Sequence, residues 1–219
     1  MLAIAACSDQ ADQQKDFSAE ANRIAQETLI VDTHIDVPYR LDAQWEDVSK
    51  ATETGDFDYP RAVAGGLNAP FMSIYTPAMY DGTPRAKEHA EEMIGIVERM
   101  VASAPTKFRI AKTVADMEQA MKDGVIALPL GMENGSPISG DLANLDYFYE
   151  RGIRYITLAH SKSNHISDSS YDTERKWNGL SDFGRDAVKR MNEIGIMVDV
   201  SHISDEAFYD VMEVAQVAP

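Results

Sequence analysis

Cysteine is nearly absent. Cys7 is the only one in the 219 residues, so no internal disulfide can form and burial with hydrogen bonding must hold the fold. Long apolar runs are missing as well, and none approaches the roughly 20 residues that a helix needs to cross a bilayer. Basic residues are scarce, with 20 Lys and Arg against 36 Asp and Glu and a formal net charge of −16. That balance excludes nucleic acid as a partner, because phosphate binding needs a surplus of cationic side chains to displace counterions. Acidity of this size serves solubility or, alternatively, meets cationic partners. What is present is ordinary globular material: 44% of residues are hydrophobic and 26% charged, enough to bury a core and too apolar for general disorder.

Residues 1–7 read Met-Leu-Ala-Ile-Ala-Ala-Cys and are followed by a polar, acidic stretch at 8–16. Small residues running into a lone cysteine, then a polar tether, have the form of the end of a bacterial lipoprotein signal with Cys7 as the lipidated residue. The positive n-region and a full-length h-region of such signals are not there. On this reading 1–16 are a signal remnant and tether, 17–219 belong to one domain, and the protein sits in the cell envelope, periplasmic or extracytoplasmic. The alternative is an apolar N-terminus with one idle thiol.

A helical pattern over 17–28 leads into Leu29-Ile30-Val31-Asp32-Thr33-His34-Ile35-Asp36, an apolar run that turns polar at its C-terminal end. Buried parallel strands that finish at a site look like this. The form recurs at 69–75, 125–133, 153–160 and 196–202, with 108–111 as a further short strand. Helical patterns at 84–103, 113–122, 181–194 and 204–214 lie between them, with Pro84 suited to a first helical turn and Gly124 and Gly195 closing two of them. Pro129 predicts an irregularity inside the 125–133 strand, because proline cannot donate to a ladder.

Alternating strands and helices make a parallel sheet, doubly wound or closed. Polar groups gather here at the ends of several successive strands, not at one switch point, which predicts a (β/α)₈ TIM-type barrel with its site on the C-terminal face. Five strands against eight make the chain read as about the first five-eighths of that barrel.

His34 and Asp36 stand two apart, and the strand period points both to one side; an imidazole beside a carboxylate suits zinc. A capping aspartate next to a core histidine is the plainer alternative. Glu133 ends a buried run and needs a cationic partner there, or else it is a solvated carboxylate at the strand exit. His160 and His202 close two further strands. His89, among Glu88, Glu91 and Glu92 in a helix, is expected on a solvated face, and His165 in the loop 161–170 is expected at the surface, with substrate contact as the alternative.

Six short elements in order carry a resemblance to a known family. They are Val31-Asp32-Thr33-His34-Ile35-Asp36, Gly65-Gly66 leading to Ser73-Ile74-Tyr75-Thr76-Pro77, Gly131-Met132-Glu133-Asn134-Gly135, Tyr155-Ile156-Thr157-Leu158-Ala159-His160-Ser161, Gly179-Leu180-Ser181-Asp182-Phe183-Gly184 and Asp199-Val200-Ser201-His202. Over residues 29–215 the sequence resembles the membrane (renal) dipeptidases, binuclear zinc peptidases of the amidohydrolase superfamily. The resemblance implies a dipeptide substrate, two Zn²⁺ per complete site and a homodimer. It implies His34 and Asp36 on the first zinc, Glu133 bridging both, His202 on the second, and His160 on the substrate, stabilising oxygen charge as the peptide carbonyl becomes tetrahedral. No serine or cysteine nucleophile is then required.

A further zinc-ligating histidine, a substrate-holding arginine and a late aspartate of that family have no counterpart before Pro219. The chain by itself is therefore expected to be an inactive part of a longer enzyme. Two alternatives stand beside the dipeptidase. One is another amidohydrolase-type enzyme acting on a cyclic amide or ester, although many of those use a His-x-His pair and a carbamylated lysine. The other is a non-catalytic fragment with a partial metal site.

Overall fold

A computed structural model of the protein describes residues 16–219; Cys7 and most of the proposed tether lie outside the described residues. Helix α1 (Ser18–Glu27) buries none of its residues and leads into β1 (Ile30–Ile35). Two short helices that the sequence reading did not anticipate follow, α2 (Val37–Ala43) and α3 (Tyr59–Gly65), before β2 (Leu67–Tyr75). The long helix α4 (Arg85–Ser103) takes Pro84 as its N-cap. Then come β3 (Phe108–Ile110), α5 (Val114–Lys122), β4 (Ile126–Leu128), β5 (Leu130–Glu133), α6 (Ala143–Arg151), β6 (Ile153–Thr157), α7 (Asp182–Ile194), β7 (Met197–Asp199) and α8 (Asp205–Val214). Capping is local: Thr113 and Asp116 form a reciprocal capping box on α5, and Ser181 and Ser204 cap α7 and α8 through their hydroxyls.

All strand pairs are parallel. One sheet runs β1-β2-β5-β6-β7, and β3 pairs with β4 beside it. The five strands curl into a half-barrel, as expected of the leading part of a (β/α)₈ barrel. Pro129 divides the run at 125–133 in two: β4 serves β3, β5 serves the main sheet, and the Pro129 carbonyl accepts the Met72 N–H at 2.8 Å. A residue without an N–H sits where the chain changes partners, which is where its missing donor costs least.

The period of two sorts every strand by face. Met72, Ile74, Leu130, Met132, Ile156 and Val198 point outward into the main core, under α4, α6 and α7. The alternate residues His34, Ser73, Glu133, Tyr155 and Asp199 point to the concave side. Lower on that side Ala69, Phe71 and Tyr155 pack with Met117 and Ala120 of α5. An apolar convex face therefore follows from sequence alternation, and a concave face that is apolar low down and polar at the C-terminal ends of the strands.

His89 corrects the expectation of a solvated face. It is 4% exposed, inside the stripe Ala86, His89, Ala90, Met93, Ile94 and Val97 that α4 presents to the core, with the Tyr80 ring 5.3 Å away. His165 is not a free surface group either: it is partly buried, with Nδ1 3.3 Å from Asp81 Oδ1 and its ring against Phe183.

Candidate metal centre

His34 is on β1, and Asp36, one residue past the strand, is the N-cap of α2. Glu133 is the last residue of β5. The strands stop sooner than the sequence reading placed them, at Thr157 and Asp199, so His160 and His202 lie three residues beyond β6 and β7 and do not close them. Turns carry both histidines back over the sheet. Asp199 accepts the Ser201 N–H at 2.9 Å and the Ser201 hydroxyl at 2.7 Å, and also the Thr157 hydroxyl. His202 then adopts φ 67°, a left-handed conformation uncommon for histidine. Its carbonyl is held by the N–H and hydroxyl of Ser170, at 2.8 and 3.0 Å. Ser169 donates its hydroxyl to the carbonyl of His160, so one loop secures both turns.

The side chains converge on Glu133, which is 6% exposed. Its Oε2 lies 3.5 Å from His34 Nε2, which in turn lies 3.3 Å from Asp36 Oδ1. Its Oε1 lies 3.3 Å from His160 Nε2 and 3.4 Å from His202 Nε2. Two clusters result, His34–Asp36–Glu133 and Glu133–His160–His202, each with donor atoms within 4.8 Å of one another. All five residues singled out in the sequence are therefore brought together, and the structure adds His160 to the second cluster.

The donor set fits zinc. Two ligands of a tetrahedral zinc, each at about 2.0 to 2.1 Å, stand roughly 3.3 Å apart, and the separations above are 3.3 to 3.5 Å. A buried carboxylate also needs positive charge, and the ion-pair partners of Glu133 among the described residues are three imidazoles. In the metal-free protein a proton supplies part of it: hydrogen bonding to Asp36, and then to Glu133, raises the pKa of His34 to about 10 against the effect of burial. The same contact with His34 lowers the pKa of Asp36. A cation at the position of that proton would find the same carboxylates. His160 differs, because burial lowers its pKa against the pull of Glu133.

Two neighbours stand in the elements that carry the resemblance but were given no role in the sequence reading. Ser73 Oγ donates to Glu133 Oε2 at 3.2 Å, and the Tyr155 hydroxyl lies 2.7 Å from His34 Nδ1. Their concave-face register with Glu133 is the signal that could have found them. A cavity of about 300 Å³, lined in part by His34, Glu133, Tyr155, Asp199 and His202, opens beside the cluster. Its size suits a small molecule.

The chain is 32% identical over 168 residues to the dipeptidase tcpJ of Claviceps purpurea, which covers 74% of this chain and 40% of that protein. It is 29% identical over 205 residues to an uncharacterized dipeptidase of Schizosaccharomyces pombe, covering 87% and 50%. Among solved structures it resembles the probable dipeptidase PvdM from Pseudomonas aeruginosa, with a TM-score of 0.82 at 27% identity over 91% of this chain and 53% of that one. A metallo peptidase from Rhodobacter sphaeroides, liganded with a phosphinate mimic of the dipeptide L-Ala-D-Ala, gives a TM-score of 0.76 at 25% identity over 86% and 63%. The chain thus spans about half the length of the relatives it matches. The description of the membrane dipeptidase family, peptidase family M19, matches residues 18–219, and the chain belongs to that family.

Proposed function

We propose that the whole protein is a zinc-dependent dipeptidase. The observation that carries this reading is the two-sided use of Glu133, whose Oε2 faces His34 while its Oε1 faces His160 and His202. His34 and Asp36 would hold the first Zn²⁺, Glu133 both, and His202 the second. When bound, such a pair activates water and polarises a carbonyl. The chain's own residues do the rest. The buried Glu133 keeps the two clusters in register, Ser73 and the Asp199 turn hold Glu133 and His202 in place, and the cavity beside them admits a small substrate. The dipeptide mimic bound by the Rhodobacter sphaeroides relative supports a dipeptide as that substrate.

His160 is assigned to the substrate. Its Nδ1 is buried without a partner among the described residues, whereas a metal-ligating histidine almost always donates its second ring N–H to something. A neutral His160 with its proton on Nε2 is a donor for the carbonyl oxygen as charge builds there. The competing reading, His160 as a ligand, is favoured by its distance to Glu133 Oε1, which matches that of His202. A lipid on Cys7, an envelope location and a homodimer belong to the same proposal and rest on the sequence reading. The test is metal analysis with hydrolysis assays on a dipeptide panel: two zinc ions and cleavage of free dipeptides, abolished by chelation, are expected. A metal-free protein that hydrolyses dipeptides would refute it.

A further inference from the structure

His34 Nε2 faces the carboxylates of Asp36 and Glu133 at 3.3 and 3.5 Å. If a cation takes the lone pair of that nitrogen, the imidazole's one remaining proton must sit on Nδ1, and it then has to donate. The group it meets is the hydroxyl oxygen of Tyr155, 2.7 Å away. Tyr155 arrives there from β6, two strands removed from β2, the neighbour of β1. Its ring is 7% exposed and rests against Phe71, with centroids 5.4 Å apart. It also lies across the β5 residue opposite it in the register, Gly131. A Cβ built at Gly131 would come within 2.0 Å of Cε1 and Cζ of the Tyr155 ring. Gly131 has no unusual φ that calls for glycine, so space for the ring is what that position supplies.

We propose that Tyr155 is a positioning residue of the first metal site: its hydroxyl oxygen accepts the Nδ1–H of His34 and so keeps Nε2 as the metal-facing nitrogen, while Gly131 makes room for the ring. The proposal rests on the metal-centre reading above and adds to it a group that acts on the metal only through His34. Fixing the tautomer and plane of a ligating histidine through its second nitrogen is a recognised control of metal affinity, and loss of such a partner typically costs 10- to 100-fold. Phenylalanine in place of Tyr155 retains the ring contacts with Phe71 and removes the acceptor alone.

The experiment is competitive zinc titration against a chromophoric chelator, in a His202→Ala background so that the first cluster dominates the isotherm. Tyr155→Phe is expected to weaken zinc there by about 10- to 100-fold, and Gly131→Ala to do the same through the displaced ring. Unchanged affinity in Tyr155→Phe overturns the proposal. Absence of zinc binding by the unmutated protein overturns the metal-centre reading instead. Imidazole ¹⁵N resonances of the zinc-loaded unmutated protein need no variant: a protonated Nδ1 with the metal on Nε2 is expected for His34, and the reverse tautomer overturns the assignment. A residue that only filled space would change the melting temperature without moving either readout.

Discussion

Ser73 of β2 donates its hydroxyl to Oε2 of Glu133 on β5 at 3.2 Å, and both side chains are buried. The bond joins two adjacent strands at the level of the metal centre and fixes one oxygen of a carboxylate whose other oxygen faces two histidines. Hydrogen bonds to a charged group contribute about 1.5 to 3 kcal/mol. Ser73→Ala is expected to lower the stability of the metal-free protein by that order, measured by denaturant unfolding. With zinc added the loss should shrink, because a cation then neutralises the same oxygen. An equal loss with and without zinc would mean that Ser73 serves packing only.

Glu133 faces both clusters and Asp36 only one. Metal analysis after dialysis should therefore separate them: Glu133→Ala is expected to lose both ions and nearly all activity, and Asp36→Ala to lose one ion. Two tightly held ions in Glu133→Ala would remove Glu133 from the bridge.

The ends of the apolar runs made His34, Asp36, Glu133, His160 and His202 legible in the sequence, because a buried strand that turns polar has few other places to lead. The turns that deliver His160 and His202 were not legible. They depend on Asp199, Ser169 and Ser170, which bond across the loop after β6 and the turn after β7, and on a left-handed φ at His202. His89 was misread because Glu88, Glu91 and Glu92 masked the core stripe that runs through it. Tyr155 stood in an element of the resemblance without a role, and the register opposite Gly131 and the distance to His34 supply one.

Asp58 belongs to neither metal cluster and sets an acid limit on stability. It caps α3, accepting the N–H of Arg61 at 2.9 Å and its Nε at 2.8 Å, and it also accepts the N–H of Thr52 at 3.0 Å. Burial works to raise its pKa, but the N–H groups of Arg61 and Thr52 and the Arg61 guanidinium outweigh it and hold the carboxyl at about 2. A depressed folded pKa gives stability that is present above the unfolded value of about 3.9 and is lost as pH falls toward 2. Asp58→Ala is expected to cost about 1 to 2 kcal/mol near neutral pH and to flatten the stability profile between pH 4 and 2. A variant whose acid unfolding curve parallels that of the unmutated protein would show that Asp58 does not set this limit.

His160 separates the two readings of the second cluster. As a substrate contact it stabilises charge that develops only as the carbonyl becomes tetrahedral, and loss of such a donor often costs about 10² to 10³ in turnover. His160→Ala in the whole enzyme is therefore expected to retain both zinc ions while kcat falls by that factor and KM changes less. As a ligand, His160 would take metal with it, and its removal would release one ion in parallel with activity. The Nδ1 of His160, without a partner among the described residues, favours the first outcome, because a ligating imidazole without a second-nitrogen partner would be poorly oriented and weakly basic. The zinc content of His160→Ala, measured beside its kcat on one preparation, decides between them.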